Sequence, residues 1–173
     1  YKGKSTDEGY GYPMPIYWVF KLLSEQRGEI LVESRLHGDN RIAAPKAGLY
    51  RDPDYSFERV SHCASLSQNE TGGGHTLYLA LLNKDASRPV TVHLDISGIA
   101  APEAEIHEVR AASFLTENTI AQPDAVKLSR PRKERITDDA GRMSHQLMPN
   151  TLTVLRLHVC LLYTSDAADE WIG

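Results

Sequence analysis

The side chains that could support chemistry in this sequence are histidines, carboxylates, hydroxyls and one glycine-rich stretch. The seven histidines lie at positions 37, 62, 75, 93, 107, 145 and 158, with no i, i+4 pair on a helical segment and no Cys-x-x-Cys partner. This spacing predicts neither a metal site nor a cofactor site. The stretch TGGGH lacks the lysine and the following helix of a phosphate-binding loop. No Gly-x-Ser-x-Gly turn presents a serine as a nucleophile.

Carboxylates could act as a pair, one as general acid and one as nucleophile, if they lay about 5–5.5 Å apart in a cleft. The spacing of the acids singles out no such pair. Asn69, Glu70 and Thr71 match the acceptor pattern for N-glycosylation, a short motif that often occurs by chance. From the residues alone, we predict that this chain carries no catalytic residue.

The last stretch of the chain, Cys160–Gly173, has no periodicity and follows a segment with the pattern of a complete strand. Its first eleven residues, CLLYTSDAADE, can be back-translated to DNA that resembles the transposon adapter of DNA library preparation, so we interpret 160–173 as adapter read-through. Three of the 23 acids lie there, which leaves 20 against 19 Lys and Arg. Nucleic acid is therefore not an expected partner, and no apolar run reaches the roughly 20 residues of a membrane span. Cys63, the one cysteine left, cannot form an internal disulfide.

One amphipathic helix is predicted near the start, in the segment PIYWVFKLLSEQRG. Pro15 would lie in its first turn and Gly28 after its end. An apolar face at helical spacing is formed by Ile16, Val19, Phe20 and Leu23. Tyr17 and Trp18 widen this face, which favours burial against a large partner surface. Packing against the chain's own domain is the alternative.

From Gly28 onward the hydrophobic period changes to the alternation of β-strands. Strands are predicted at Glu29–Leu36, Val60–Leu66, His75–Asp85, Val90–Ile96, Glu105–Arg110, Met143–Met148 and Thr151–Val159. The turn residues of NKDASRP predict that the third and fourth strands pair as a hairpin. In the last strand the apolar phase slips after Val154, which predicts a β-bulge. Many short strands and a single helix predict a mainly β fold, an antiparallel β-sandwich.

Four segments occur in a specific order: PIYWVFKLLSEQRGE, LYLALLNKDASRPVTVHLDISGI, LTENTIAQPDAV and MPNTLTVLRL. In this order, between about Tyr12 and Leu157, they closely resemble the C-terminal region of α-L-arabinofuranosidases of glycoside hydrolase family 51. The block NT…PDAV makes the resemblance specific, since any one strand pattern would be common. Two departures leave the subfamily open: residues 120–122 are Ile-Ala-Gln where the family has Phe-Glu-Asn, and residues 148–150 are Met-Pro-Asn where it has Pro-Pro-His.

The resemblance implies a jelly-roll-like β-sandwich packed against a catalytic (β/α) barrel. Residues 1–27 would be the remnant of that barrel, ending in its last helix, residues 28–159 the sandwich, and residues 160–173 the adapter read-through. The barrel-packing face would consist of Ile16, Val19, Phe20 and Leu23. The family's two catalytic glutamates would precede this helix and lie outside the chain. Asn69 and Glu70 copy the family's acid/base dipeptide, but no barrel strand could present them after the helix.

The enzyme implied by the resemblance is a retaining glycosidase that removes terminal α-L-arabinofuranosyl residues from arabinan or arabinoxylan by double displacement. The chain itself would be inactive and would have its missing barrel as partner. The resemblance also implies a homo-oligomeric parent and favours the cytoplasm. Neither a membrane nor nucleic acid is expected as a partner.

The block NT…PDAV contains four candidate residues for contact with the barrel: Asn118, Thr119, Pro123 and Asp124. We predict that they form an interdomain contact loop, because a motif-like block in a loop favours a binding role. The alternative is a surface loop shaped by the turn chemistry of Asn and Pro.

A free-standing carbohydrate-binding or adhesion-type β-sandwich is the alternative function. A sugar-binding sheet face would require exposed aromatic side chains. Between the helix and residue 160 the aromatic residues are few: Tyr50, Tyr55, Phe57, Tyr78 and Phe114. This scarcity favours the accessory domain of an enzyme.

Overall fold

The structure is a computed structural model of the 173-residue chain, and it describes residues 11–43, 56–68, 74–96, 99–138, 140 and 142–159. The helix is α1 (Pro15–Glu25). The strands are β1 (Ile30–Val32), β2 (Arg41–Ala43), β3 (Ser56–Glu58), β4 (Val60–Gln68), β5 (His75–Asn83), β6 (Val90–His93), β7 (Ile99–Arg110), β8 (Lys127–Leu128), β9 (Arg132–Arg135), β10 (Ser144–Leu147) and β11 (Thr151–Val159). Among these described residues, no helix has the length and apolar character needed to cross a membrane.

The strands form one large antiparallel sheet and two small ones. The large sheet has the order β1-β4-β5-β11-β7-β8, and β9 pairs with another stretch of β7. β6 pairs with β10, and β2 with β3. β11 lies at the centre of the large sheet and pairs with β5 along its whole length, from Thr151 opposite Asn83 to Val159 opposite His75.

The β6–β10 sheet covers one face of the large sheet, and α1 covers part of the other face. Val92 and Leu147 from the small sheet belong to the same buried cluster as Leu79 and Leu155 from the large one. On the opposite face, Leu22 of α1 lies in a second cluster with residues of β7 and β11. The predicted antiparallel β-sandwich with one helix is confirmed.

The apolar phase of β11 changes because both faces of this strand are buried. Leu155, Leu157 and Val159 belong to the cluster between the two sheets, whereas Leu152 and Val154 belong to the cluster with α1. The prediction of a bulge in this strand is wrong, since its pairing with β5 is continuous. A register shift occurs only against β7, and the additional residues are in β7.

The predicted hairpin between the third and fourth strands is also wrong. Both edges of β5 are taken, by β4 and β11, so β6 pairs with β10 instead. The NKDASRP segment therefore crosses from the large sheet to the small one. Asn83 at its start is fully buried, and its Nδ2 lies 3.0 Å from the Arg88 carbonyl oxygen and 3.2 Å from those of Leu147 and Met148. Its Oδ1 accepts the Asp85 N–H at 3.0 Å.

Asp85 stabilises the second half of the NKDASRP segment. Its Oδ1 accepts the N–H groups of Ser87 and Arg88 at 3.0 and 2.9 Å, and its Oδ2 lies 3.5 Å from Nε of Arg59. Burial raises the pKa of this carboxyl, but the two N–H donors and the Arg59 guanidinium outweigh burial and lower the pKa. Asp85 is therefore ionised and fixes the turn through charge-assisted hydrogen bonds.

The predicted bounds hold best at the centre of the large sheet. β11 has the predicted bounds, and β4 and β5 differ from theirs by two residues at one end. At the edge, β1 keeps only Ile30–Val32 of the predicted Glu29–Leu36. β7, between β11 and β8, starts at Ile99 rather than Glu105. The sequence did not predict β2, β3, β8 or β9. Arg132–Arg135 is exposed along its length and has no apolar alternation to indicate a strand.

Gly28 lies against the backbone of β4. Its N–H donates to Ser65 Oγ at 2.9 Å, and a Cβ added here would stand 2.1 Å from the carbonyl carbon of Leu66 and 2.6 Å from the nitrogen of Ser67. Because the clash is with backbone, Gly28→Ala is expected to cost about 3 kcal/mol, the upper end of typical overpacking. Urea unfolding monitored by circular dichroism would show this loss. Gly11→Ala is the control, since its Cβ meets nothing within 4 Å, and equal effects of both changes would contradict the prediction.

Candidate functional site

Helix α1 carries two apolar stripes that point in different directions. Leu22 is fully buried in the cluster with Val109 and Val154 of the large sheet, and Trp18 and Val19 pack partly buried against the same cluster. This stripe attaches the helix to the sandwich. The i, i+4 spacing of Trp18 and Leu22 indicates this buried stripe, but the predicted apolar face does not include Leu22.

The second stripe of α1 is exposed to solvent. Ile16 is 57% exposed, Phe20 68% and Leu23 37%, at i, i+4 and i+7. Of the four residues predicted to pack against a barrel, these three lie on the open side, whereas Val19 turns toward the sandwich. Isolated exposed apolar residues are ordinary, but a continuous stripe on a helix marks a contact surface.

Asn118 joins the chain just before α1 to the sandwich. Its side chain is 2% exposed, its Nδ2 donates to the carbonyl oxygens of Pro13 at 2.6 Å and Val126 at 2.8 Å, and its Oδ1 accepts the Val126 N–H at 2.7 Å. The structure thus brings this predicted residue to the helix, in a buried position rather than on the surface.

The other three predicted contact residues lie in the turn after Asn118. Thr119 is exposed and exchanges backbone hydrogen bonds with Gln122 at 3.2 Å in both directions. Pro123 is half-buried, and exposed Asp124 lies 3.5 Å from Nζ of Lys127. Turn chemistry shapes this part of the loop, and its contact with a partner stays a prediction.

Large apolar side chains are also exposed in the connection that Asn118 ties to α1. Phe114 and Leu115 are each 74% exposed and Ile120 is 59% exposed. Since Asn118 binds Pro13, this connection lies next to the start of the helix. Exposed apolar side chains therefore occur both on the helix and in the connection beside its start.

A cluster of ionisable side chains lies between the two sheets. Glu108 of β7 accepts from Nη1 of Arg132 at 2.8 Å and from the Thr153 hydroxyl at 3.3 Å, and Nε2 of buried His145 lies 4.0 Å from its Oε1. Its neighbouring acid on the strand, Glu105, is three residues away and so points to the opposite face of the sheet. These two glutamates cannot form a catalytic pair.

His145 is expected to make the stability of the fold depend on pH. Burial lowers the pKa of this imidazole, and this outweighs the attraction of Glu108. Because the unfolded chain then binds the proton more tightly, stability is complete above the ordinary pKa near 6.5 and falls as the pH drops below it toward the lowered value. The slope is at most about 1.4 kcal/mol per pH unit for one proton. Urea unfolding at several pH values should show this slope, and His145→Gln should remove it; an unchanged slope in the variant would contradict the assignment.

No group of three His, Cys, Asp or Glu side chains capable of holding a metal occurs in the described part of the chain. Glu70, in the rejected acid/base dipeptide, lies outside the described residues.

A cleft of about 760 Å³ opens between β1 and β6. It is lined by apolar core side chains of β4 and β5 together with residues of 33–40 and of β6. None of the residues predicted to contact a barrel lines it. The cleft is the open side of the sandwich core, and its geometry indicates no catalytic arrangement.

Solved structures with a similar fold include arabinofuranosidases. A structure titled "The crystal structure of Arabinofuranosidase" matches with a TM-score of 0.66 and 17% identity over 89% of this chain and 31% of its own. The enzyme from Thermotoga petrophila matches with a TM-score of 0.65 and 20% identity over 84% and 29%. The enzyme from Thermotoga maritima, in complex with arabinose, matches with a TM-score of 0.66 and 19% identity over 90% of this chain and 31% of its own. This chain thus spans about a third of the length of these proteins.

Of the two sequence comparisons, the one with curated proteins found no match. The one with family models found a match that agrees with this fold. The model of the family described as "Alpha-L-arabinofuranosidase C-terminal domain" matches residues 4–150, which include α1, strands β1 to β10 and the Asn118 loop. The chain belongs to the α-L-arabinofuranosidase C-terminal domain family.

Proposed function

We propose that this chain is the accessory β-sandwich of a retaining α-L-arabinofuranosidase, and that it supports the catalytic barrel through α1. The observation that carries this proposal is the exposed stripe of Ile16, Phe20 and Leu23 on a helix whose other stripe is buried in the sandwich. A helix with two apolar stripes needs a second surface to cover it. The family's proteins extend well beyond this domain, so the catalytic part of the same enzyme is the natural occupant.

In this proposal the barrel supplies both catalytic glutamates. One protonates the leaving oxygen while the other forms a glycosyl ester that water hydrolyses with retention. The sandwich makes no bond to the substrate and has no activity of its own. It stabilises the barrel by burying the exposed stripe, at about 1.5–3 kcal/mol for each large apolar side chain that becomes fully covered.

The test compares the stripe in this chain and in the complete enzyme, obtained by extending the reading frame in the source DNA. Phe20→Ser combined with Leu23→Ser removes part of the stripe, and Leu31→Ser, at a residue 76% exposed on β1, is the matched control. The complete enzyme should release arabinose from arabinan or arabinoxylan with retained anomeric configuration, read by proton NMR. The double variant should inactivate at a lower temperature than the control.

This chain alone should show no hydrolysis, and its unfolding midpoint should change little in the double variant. The proposal would be overturned by a complete enzyme without arabinofuranosidase activity, or by equal inactivation temperatures for the double variant and Leu31→Ser. Hydrolysis by the isolated chain would equally contradict it.

A further inference from the structure

We infer that Asn118 is a positioning residue: its side chain anchors the N-terminal end of α1 to the sandwich and thereby fixes where the exposed stripe is presented. Asn118 does not itself contact a partner, because it is 2% exposed. The inference rests on the proposed function for its consequence in the enzyme, but the anchoring can be measured in this chain alone.

Every hydrogen-bonding group of the Asn118 amide is used. Two N–H bonds go to the carbonyl oxygens of Pro13 and Val126, and the amide oxygen receives the Val126 N–H. Pro13 lies 105 residues earlier in the chain and two residues before the helix begins. The amide therefore spans from the loop to the start of α1 with no spare donor.

The start of α1 has few other attachments. Met14 at the N-cap provides no side-chain hydrogen bond to the first turn, and the first turn contains no acidic residue. Leu22, the helix residue that is fully buried, lies more than one turn further on. Within the described part of the chain, the apolar side chains that pack the beginning of α1 against the sandwich are the partly buried Trp18 and Val19.

Asn40 shows what the same side chain does without the bond to a helix. Its Nδ2 donates to the Val60 carbonyl oxygen at 2.8 Å, and its Oδ1 accepts the Val60 N–H at 2.8 Å. Asn118 makes the same two hydrogen bonds with Val126. Asn118 makes the additional bond to Pro13 and is buried, whereas Asn40 is half-buried. Asn40→Ala is therefore the control for losing the bonds that the two side chains share.

Hydrogen exchange of this chain tests the anchor. In Asn118→Ala, the amides of α1 from Trp18 to Glu25 should exchange about ten- to hundredfold faster, since local opening responds to the loss of a buried hydrogen bond. The amides of β5 and β11 should keep their rates. Asn40→Ala should leave the exchange of α1 unchanged.

Two results would overturn the inference: an unchanged rate in α1, or an equal acceleration in α1 and in the central strands, which would indicate only general destabilisation. If Asn118→Ala does not fold, Asn118→Asp retains the acceptor for Val126 N–H and loses the donors. Trp18 fluorescence in a Trp171→Phe background then reports whether the helix has left the sheet at denaturant concentrations where the sheet persists. If the helix and the sheet unfold at the same denaturant concentration, the inference is also overturned.

The complete enzyme separates this inference from the proposed function. If Asn118 positions the stripe, Asn118→Ala should lower the inactivation temperature of the enzyme, as the stripe variants do, whereas Asn40→Ala should not. A complete enzyme that lacks arabinofuranosidase activity would refute the proposed function and leave the exchange result intact. Unaltered exchange in this chain would refute the anchor and leave the enzyme's activity unaffected.

Discussion

Replacing Asn83 with alanine should lower the free energy of unfolding by about 3–5 kcal/mol. The change removes a fully buried amide that lies within hydrogen-bond distance of the carbonyl oxygens of Arg88, Leu147 and Met148. Each buried polar group left without a partner costs roughly 1–3 kcal/mol, and the lost side chain leaves a cavity. The β6–β10 sheet should unfold first, because the Asn83 amide links the start of β6 and the end of β10 to the large sheet.

Urea unfolding at pH 7.5 measures this loss, and Asn150→Gly is the control. Asn150 lies in the turn between β10 and β11 with a positive φ of 50°, and its side chain donates to the Ala86 carbonyl oxygen at 3.2 Å. Glycine keeps the backbone geometry and removes one exposed bond, so we expect a loss below about 1 kcal/mol. A similar loss of unfolding free energy in both variants would show that Asn83 is not the main link between the two sheets.

Leu22→Ala should destabilise this chain by about 3–4 kcal/mol, whereas Phe20→Ala should change its stability by less than about 0.5 kcal/mol. Both residues lie on α1, but Leu22 is fully buried and Phe20 is 68% exposed. Truncating a buried leucine costs 2–5 kcal/mol through lost burial and the remaining cavity, and exposed positions contribute little. The difference measures which stripe belongs to the sandwich.

Thermal unfolding followed by circular dichroism compares the two variants directly. Ile16→Ala, on the same exposed stripe as Phe20, is an additional control and should be as stable as the parent chain. If Phe20→Ala were as destabilising as Leu22→Ala, the exposed stripe would be packed within this chain. The stripe would then be unavailable to a barrel.

The sequence pattern predicted the central strand of the large sheet, β11, with its full bounds. Thr151–Val159 has its predicted bounds because a central strand is apolar on two faces and needs no partner information to be found. The hairpin prediction failed because turn residues in NKDASRP specify a reversal of the chain but not the sheet to which the next strand returns. That choice depends on β11, which occupies the edge of β5 and is 68 residues away at its start.

The candidate site was predicted by residue but not by role. The block NT…PDAV led to Asn118, and the pattern could not reveal that its amide is buried against Pro13 and Val126. Leu22 was overlooked because Ile16, Phe20 and Leu23 form a more conspicuous stripe at helical spacing. Which of two stripes faces the sheet depends on the position of the helix, which local sequence does not specify.

The place of β11 determines the order in which this domain can be completed during synthesis. β11 follows the other described strands in the chain and yet lies between β5 and β7. Until the ribosome has released Thr151–Val159, β5 and β7 each present an unpaired edge, and the two halves of the large sheet have no link. Such contacts between distant residues form slowly, and open edges favour pairing with other chains. A nascent chain that stalls before Thr151 is therefore a substrate for chaperones or aggregation rather than a partly functional domain.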